Sequence, residues 1–151
     1  MVAALVAASL LGGCRLRQST SGGGSDDAGL EPDSPAAQGQ LAVEARQCGQ
    51  CHQSANPGDG VLSGQDSPLQ GTRAYGSNLT PDPDTGMDAW DAGTIATSVL
   101  YSVGIDGGRL CASMPAYADA GMGTDEALSI GAYLKTLTPV RHSVPVSACS
   151  R

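Results

Sequence analysis

Apolar positions along the chain fall into three regimes. Residues 1–13, MVAALVAASLLGG, form an unbroken run of apolar and small residues that ends at Cys14. Residues 15–40 are rich in Gly, Ser, Pro and Asp and show no apolar period, so they lack the surface needed to fold. Periodicity begins near Leu41, where LAVEARQC predicts a helix running straight into Cys48. Glycines and prolines then punctuate residues 53–86, which predicts little regular structure. DAGTIATSVLYSVG predicts a helix with Asp91 as N-cap and Gly104 just past its end, and Ile95, Val99 and Val103 share one of its faces. TDEALSIGAYLKTL predicts a last helix from Thr124, with acids in its first turn and a stop before Pro139. Its face of Ala127, Ile130, Gly131 and Leu134 is narrow and small enough to admit another helix closely. No strand alternation and no internal repeat occur. The pattern predicts an all-α domain with long loops over residues 41–140, followed by a tail, 141–151.

Composition sharpens this picture. The 151 residues suffice for one modest core, yet there is no Phe, one Trp and four Tyr. Aromatic anchors are scarce, and a bulky apolar cofactor would supply what they do not. With 15 acidic against 8 basic residues the net charge is −7, which argues against nucleic acid or anionic lipid as a partner. An acidic surface suits docking on basic patches of other proteins.

At 13 residues the N-terminal run is short for a membrane span and suits a signal-peptide core. Leu11-Gly12-Gly13-Cys14 resembles the bacterial lipobox, although no Lys or Arg precedes the run. That resemblance implies lipidation at Cys14, export to the periplasmic side, and a membrane anchor; a plain secretion signal with Cys14 incidental is the alternative. Residues 14–40 would then be a flexible tether with an r.m.s. span of about 25–30 Å.

Cys48-Gly49-Gln50-Cys51-His52, CGQCH, carries the chemistry. Chance would produce a CxxCH in about 0.2% of shuffled chains of this composition. A thioredoxin-type redox pair needs a βαβ scaffold, and no strand pattern precedes Cys48. A zinc site needs a second ligand pair, and Cys111, Cys149 and His142 are scattered singly. Covalent haem accounts for every residue: thiols one helical turn apart capture two vinyl groups, and the next histidine is placed beneath the iron. One motif predicts one haem c, with Cys48 and Cys51 as thioethers and His52 as the proximal ligand. Pro68 carbonyl is the expected acceptor for the second ring nitrogen of His52, with Pro57 next.

A sixth ligand would come from Met87, Met114, Met122 or His142. Met114 is favoured, because Pro115 holds its loop extended just before the last helix. Met87 and Met122 read as core, and His142 as an exposed residue of the tail. CGQCH, YGSNLTPDPDTGMDAW, MPAY and TDEALSIGAYLKTLTPV together resemble class I-type monohaem cytochrome c domains, of the kind found in bacterial dehydrogenase cytochrome subunits. The resemblance implies the cytochrome c fold, with three main helices and long loops around the haem, the first and last helices crossing at small residues. It also implies His52 and Met114 as axial ligands, and Asn78, Tyr75 or Trp90 near the haem edge or propionates. Such subunits usually string three domains together, and this chain has one.

With Cys14, Cys48 and Cys51 assigned, Cys111 and Cys149 remain as an even pair in an oxidising compartment. They are either a disulfide that clips the tail to the Met114 loop or two buried thiols. The function expected is that of a single-electron carrier rather than an enzyme, exchanging electrons with redox partner proteins such as a dehydrogenase or oxidase. The alternatives are a peroxidase-like haem enzyme or a gas or redox sensor, with an open or displaceable sixth site.

Overall fold

The computed structural model describes residues 30–149. Cys14, the apolar run 1–13 and residues 14–29 of the expected tether lie outside the described residues. Helix α1 spans Pro35–Ala45, α2 is the single turn Gly49–His52, α3 spans Ala92–Tyr101 and α4 spans Thr124–Leu134. Short 3₁₀ turns lie at Pro57–Asp59 and Tyr117–Ala120. Among the described residues the only ladder pairing is an isolated bridge between Val103 and Arg109.

Residues 35–40, expected in the tether, are helical instead. Ser34 caps α1 by accepting from the Ala37 N–H, and Pro35 occupies the first turn, where its missing N–H leaves no bond unmade. Gly39 is the contact point with α4: a Cβ there would overlap the Ser129 carbonyl and come within 2.8 Å of Tyr133 Cβ. A Gly in an otherwise polar, Pro-initiated stretch thus marks a helix crossing and not a linker. The Arg46 guanidinium adds a two-pronged ion pair to Glu126 in the first turn of α4, at 2.8 and 2.9 Å.

The helix expected to run into Cys48 breaks first. Arg46 is the C-cap of α1, and Gln47 takes a left-handed φ of 57° before the chain re-enters a helical turn at α2. Asp91 caps α3, accepting from the Thr94 N–H at 2.6 Å. That helix ends at a left-handed Ser102, two residues short of Gly104, so Val103 lies outside it. On α4 the buried residues are Ala127, Ile130, Gly131 and Leu134. Helix α4 packs on both α1 and α3. The core where they meet is aliphatic: Val43, Leu62, Ile95, Leu100, Ile130 and Leu134, with Met122, and with Trp90 half-buried at its edge.

The long connection between α2 and α3 is held by side-chain bonds in place of regular structure. Asn78, 3% exposed, donates to the Val140 carbonyl at 2.7 Å and to Thr85 Oγ1 at 3.1 Å, while its own oxygen accepts from Thr80. The tail closes on this hub, with Val140 N–H bound to Thr80 Oγ1 and His142 N–H to Thr85 Oγ1. Further on, Ser147 Oγ accepts from the Tyr75 N–H, and Cys149 forms a disulfide with Cys111 across a Cα–Cα distance of 5.5 Å.

Candidate functional site

A cavity of about 690 Å³ opens between the CGQCH turn, the 69–90 loop, α3 and the 104–117 loop. That volume lies within the range of small-molecule and cofactor sites, roughly 300–1,000 Å³. Its inner wall is aliphatic, from Val43, Leu79, Ile95, Val99, Ile130 and Leu134. Cys48, Cys51 and His52 face it from one side, and Met114 and Pro115 also line it.

Helix α2 presents the motif. Cys51 N–H and His52 N–H both return to the Cys48 carbonyl, at 3.2 and 3.0 Å, so both thiols and the imidazole sit on one tight turn. Cys48 and Cys51 are free thiols. Burial pushes the Cys48 thiol up, with the neighbouring Cys51 adding to the rise. This is the reverse of the depressed thiol that a redox CxxC relies on.

His52 Nδ1 lies 2.9 Å from the Ser77 carbonyl. The acceptor is therefore Ser77, and neither Pro68 nor Pro57. Burial holds the imidazole below its usual value despite the upward pull of that carbonyl, so the ring is neutral, with Nδ1–H donating and Nε2 carrying the lone pair. Such a ring is oriented as a ligand through Nε2.

Ser77 can reach His52 because Gly76 lies directly on the motif. A Cβ at Gly76 would overlap the Cys51 carbonyl oxygen, and would stand 2.5 Å from its carbon and 3.2 Å from His52 Cα. Two strands of loop back the turn from behind: Gly64 N–H donates to the His52 carbonyl at 2.8 Å, and Gln65 N–H to the Gly76 carbonyl at 2.9 Å. Gln65 Nε2 also donates to the Gln50 carbonyl at 3.1 Å.

Met114 sits in a turn closed by its own N–H to the Cys111 carbonyl, 2.8 Å. Met87 and Met122 line the cavity as well, and Met122 is also a member of the core at 5% exposure. Tyr75, Asn78 and Trp90 all border the cavity. The amide of Asn78 is already engaged by Val140 and Thr85, so its polar atoms hold the loop. His142 is not a free surface residue. Its side chain is 15% exposed, with Nδ1 2.8 Å from the Ser63 carbonyl and Nε2 2.9 Å from Asp66 Oδ1. Arg109 and Asp106, which no sequence signal singles out, stand among the lining residues, and Ile105 and Leu110 give the cavity an exposed apolar lip.

The residues fit a covalently held haem by donor chemistry and shape: two free thiols on one turn, an imidazole with Nε2 left for iron, a thioether lining the same cavity, and an aliphatic interior. Among the described residues no group of three or more His, Cys, Asp or Glu is gathered to hold a metal ion without such a cofactor. Among them, too, no helix is long and apolar enough to cross a membrane.

No protein-family profile matches the chain. Over 113 residues, 72% of its length, the chain is 29% identical to a nicotinate dehydrogenase subunit of Pseudomonas putida. That alignment covers 9% of the Pseudomonas protein. The chain is thus similar to a small part of a much longer dehydrogenase subunit.

Proposed function

We propose that the chain is a single-electron carrier with one covalent haem c, built on a cytochrome c-type all-α fold. The observation that carries this reading is the meeting of the Cys48 and Cys51 thiols, the Nε2-free His52 and Met114 on one aliphatic cavity of about 690 Å³. Cys48 and Cys51 would hold the macrocycle as thioethers, and His52 Nε2 and Met114 Sδ would be the axial ligands. When bound, the haem supplies a one-electron couple at iron. The chain's own part is positional. Ser77 fixes the imidazole plane, the aliphatic wall excludes water, and the 111–117 loop carries the thioether.

The reading extends to place and partner. Cys14 would be lipidated, tethering the domain on the periplasmic side of a membrane. The partial similarity to a dehydrogenase subunit supports a dehydrogenase as the electron donor. With a net charge of −7, docking would favour a basic face on that partner.

The test is the absorption spectrum of protein matured with a cytochrome c assembly system, beside Met114→Ala. The expected result is a covalent low-spin haem whose weak sulfur-to-iron charge-transfer band is present in the wild type and lost in the variant. Covalent haem without that band, with ready CO binding, would replace this reading with a haem enzyme or sensor. Absence of covalent haem would overturn it altogether.

A further inference from the structure

We propose that Ser102 is a positioning residue that holds Met114 against the cavity wall, an inference resting on Met114 as axial ligand. Ser102 terminates α3 in a left-handed conformation, φ 54° and ψ 50°. Glycine or asparagine adopts that conformation at lower cost, and Gly104 lies only two residues on. Strain of this kind persists where the surrounding structure over-determines it.

What over-determines it here is the path to Met114. The Ser102 hydroxyl donates to the Met114 carbonyl at 2.7 Å, and the Ser102 carbonyl accepts from the Leu110 N–H at 2.9 Å. Between them the Val103–Arg109 bridge pinches off the intervening loop, so that residues 110–114 return over the end of α3. Met114 N–H bonds only within its own turn, to Cys111, and Pro115 has no N–H to give. The Cys111–Cys149 disulfide ties that turn to the tail and not to a helix. Among the described residues, the hydroxyl of Ser102 is therefore the hydrogen bond that links the Met114 backbone to a rigid element. A left-handed glycine in its place would make the same turn and leave the loop unlatched.

The experiment compares haem-loaded wild type with Ser102→Gly, Ser102→Asn and Met114→Ala. It reads the charge-transfer band, the apparent CO affinity of the reduced protein, and the urea midpoint. Glycine keeps the left-handed backbone and removes the donor; asparagine keeps that backbone and returns a donor. Expected for Ser102→Gly is an apparent CO affinity raised about five-fold, the factor set by one neutral hydrogen bond, with the urea midpoint unchanged because the lower cost of a left-handed glycine offsets the lost bond. Ser102→Asn should fall back toward wild type. If Met114→Ala raises CO affinity strongly while Ser102→Gly matches wild type, Met114 is a ligand and Ser102 does not position it. A midpoint that falls in step with the CO effect would make Ser102 merely structural and overturn the proposal. If Met114→Ala leaves band and CO affinity unchanged, the axial reading falls and takes this inference with it.

Discussion

Gly76→Ala tests how the loop that follows the motif controls His52. The added Cβ would lie inside the Cys51 carbonyl oxygen and 2.5 Å from the carbonyl carbon, where ordinary contact begins near 3.5 Å. Relief requires the 76–78 segment to withdraw by more than about 1 Å, since the Cys51 carbonyl belongs to the backbone of α2 and has no rotamer to yield. A withdrawal of that size takes the 2.9 Å bond from His52 Nδ1 to Ser77 beyond hydrogen-bonding distance. It also stretches the Gln65 bond to the Gly76 carbonyl. Strain of about 1–3 kcal/mol and one buried donor left without a partner, about 1–3 kcal/mol, sum to about 2–6 kcal/mol. Urea denaturation of the haem-loaded protein should show a midpoint lower by about 0.7 M or more, given a slope of about 1–3 kcal/mol/M. The spectrum should change as well, because an imidazole without its second bond is a weaker and less oriented ligand. Gly58→Ala is the control, as nothing lies within 4 Å of a Cβ there. A Gly76→Ala protein with the control's midpoint and spectrum would refute the claim that close approach at residue 76 sets the histidine.

Replacing Cys111 and Cys149 together by serine should cost about 3–4 kcal/mol, since the disulfide closes a loop with a sequence separation of 38. An unchanged urea midpoint, with or without reductant in the wild type, would rule that contribution out. The His142 clasp should make stability depend on pH. The Asp66 hydrogen bond first, then the Ser63 carbonyl and the charges of Asp66 and Asp59, raise the imidazole above its ordinary value, so folding favours the protonated ring. Its contribution is full below about 6.5, the unfolded value, and fades as pH rises through the higher folded value. Asp66 is 59% exposed, which limits the effect to about 0.5–1 kcal/mol. Unfolding curves from pH 5.5 to 8.5 should show this fall in wild type and lose it in Asp66→Asn; equal slopes in the two proteins would sink the assignment.

What can be read in the chain follows from which signals are local. Asp91 at the start of α3 and the face of α4 are visible because caps and 3.6-residue periods depend on neighbours a few positions away. Cys48, Cys51 and His52 are visible for the same reason, being one turn of chain. Ser77 is not, because any residue offers a carbonyl and only the fold selects which one meets an imidazole 25 positions earlier. Gly39 reads as linker composition, since a helix crossing and a flexible tether both favour a missing side chain. Propensity alone ends α3 at Gly104, while a hydroxyl twelve residues from Met114 moves that end to Ser102. His142 looks solvated because its partners, Ser63 and Asp66, are more than 70 positions away.

The two sides of the cavity are held by different means, and this orders how the site should loosen. Behind His52, hydrogen bonds from Gly64 and Gln65 and one accepted by the Ser77 carbonyl tie α2 to two successive passes of the loop, and Asn78 fastens that loop in turn to Val140. These bonds restrain the backbone of the turn together, while Ser77 alone holds the ring. The Met114 side rests on the Ser102 hydroxyl, one turn of its own backbone and a disulfide to a tail whose Val146 is 93% exposed. Local opening is cheapest where few bonds must break together and much of the segment is already solvated. Heat or urea should therefore free residues 111–117 before the CGQCH turn. A site that loses its thioether side first keeps its histidine side assembled, so the loop can close again on a surface that has not unfolded.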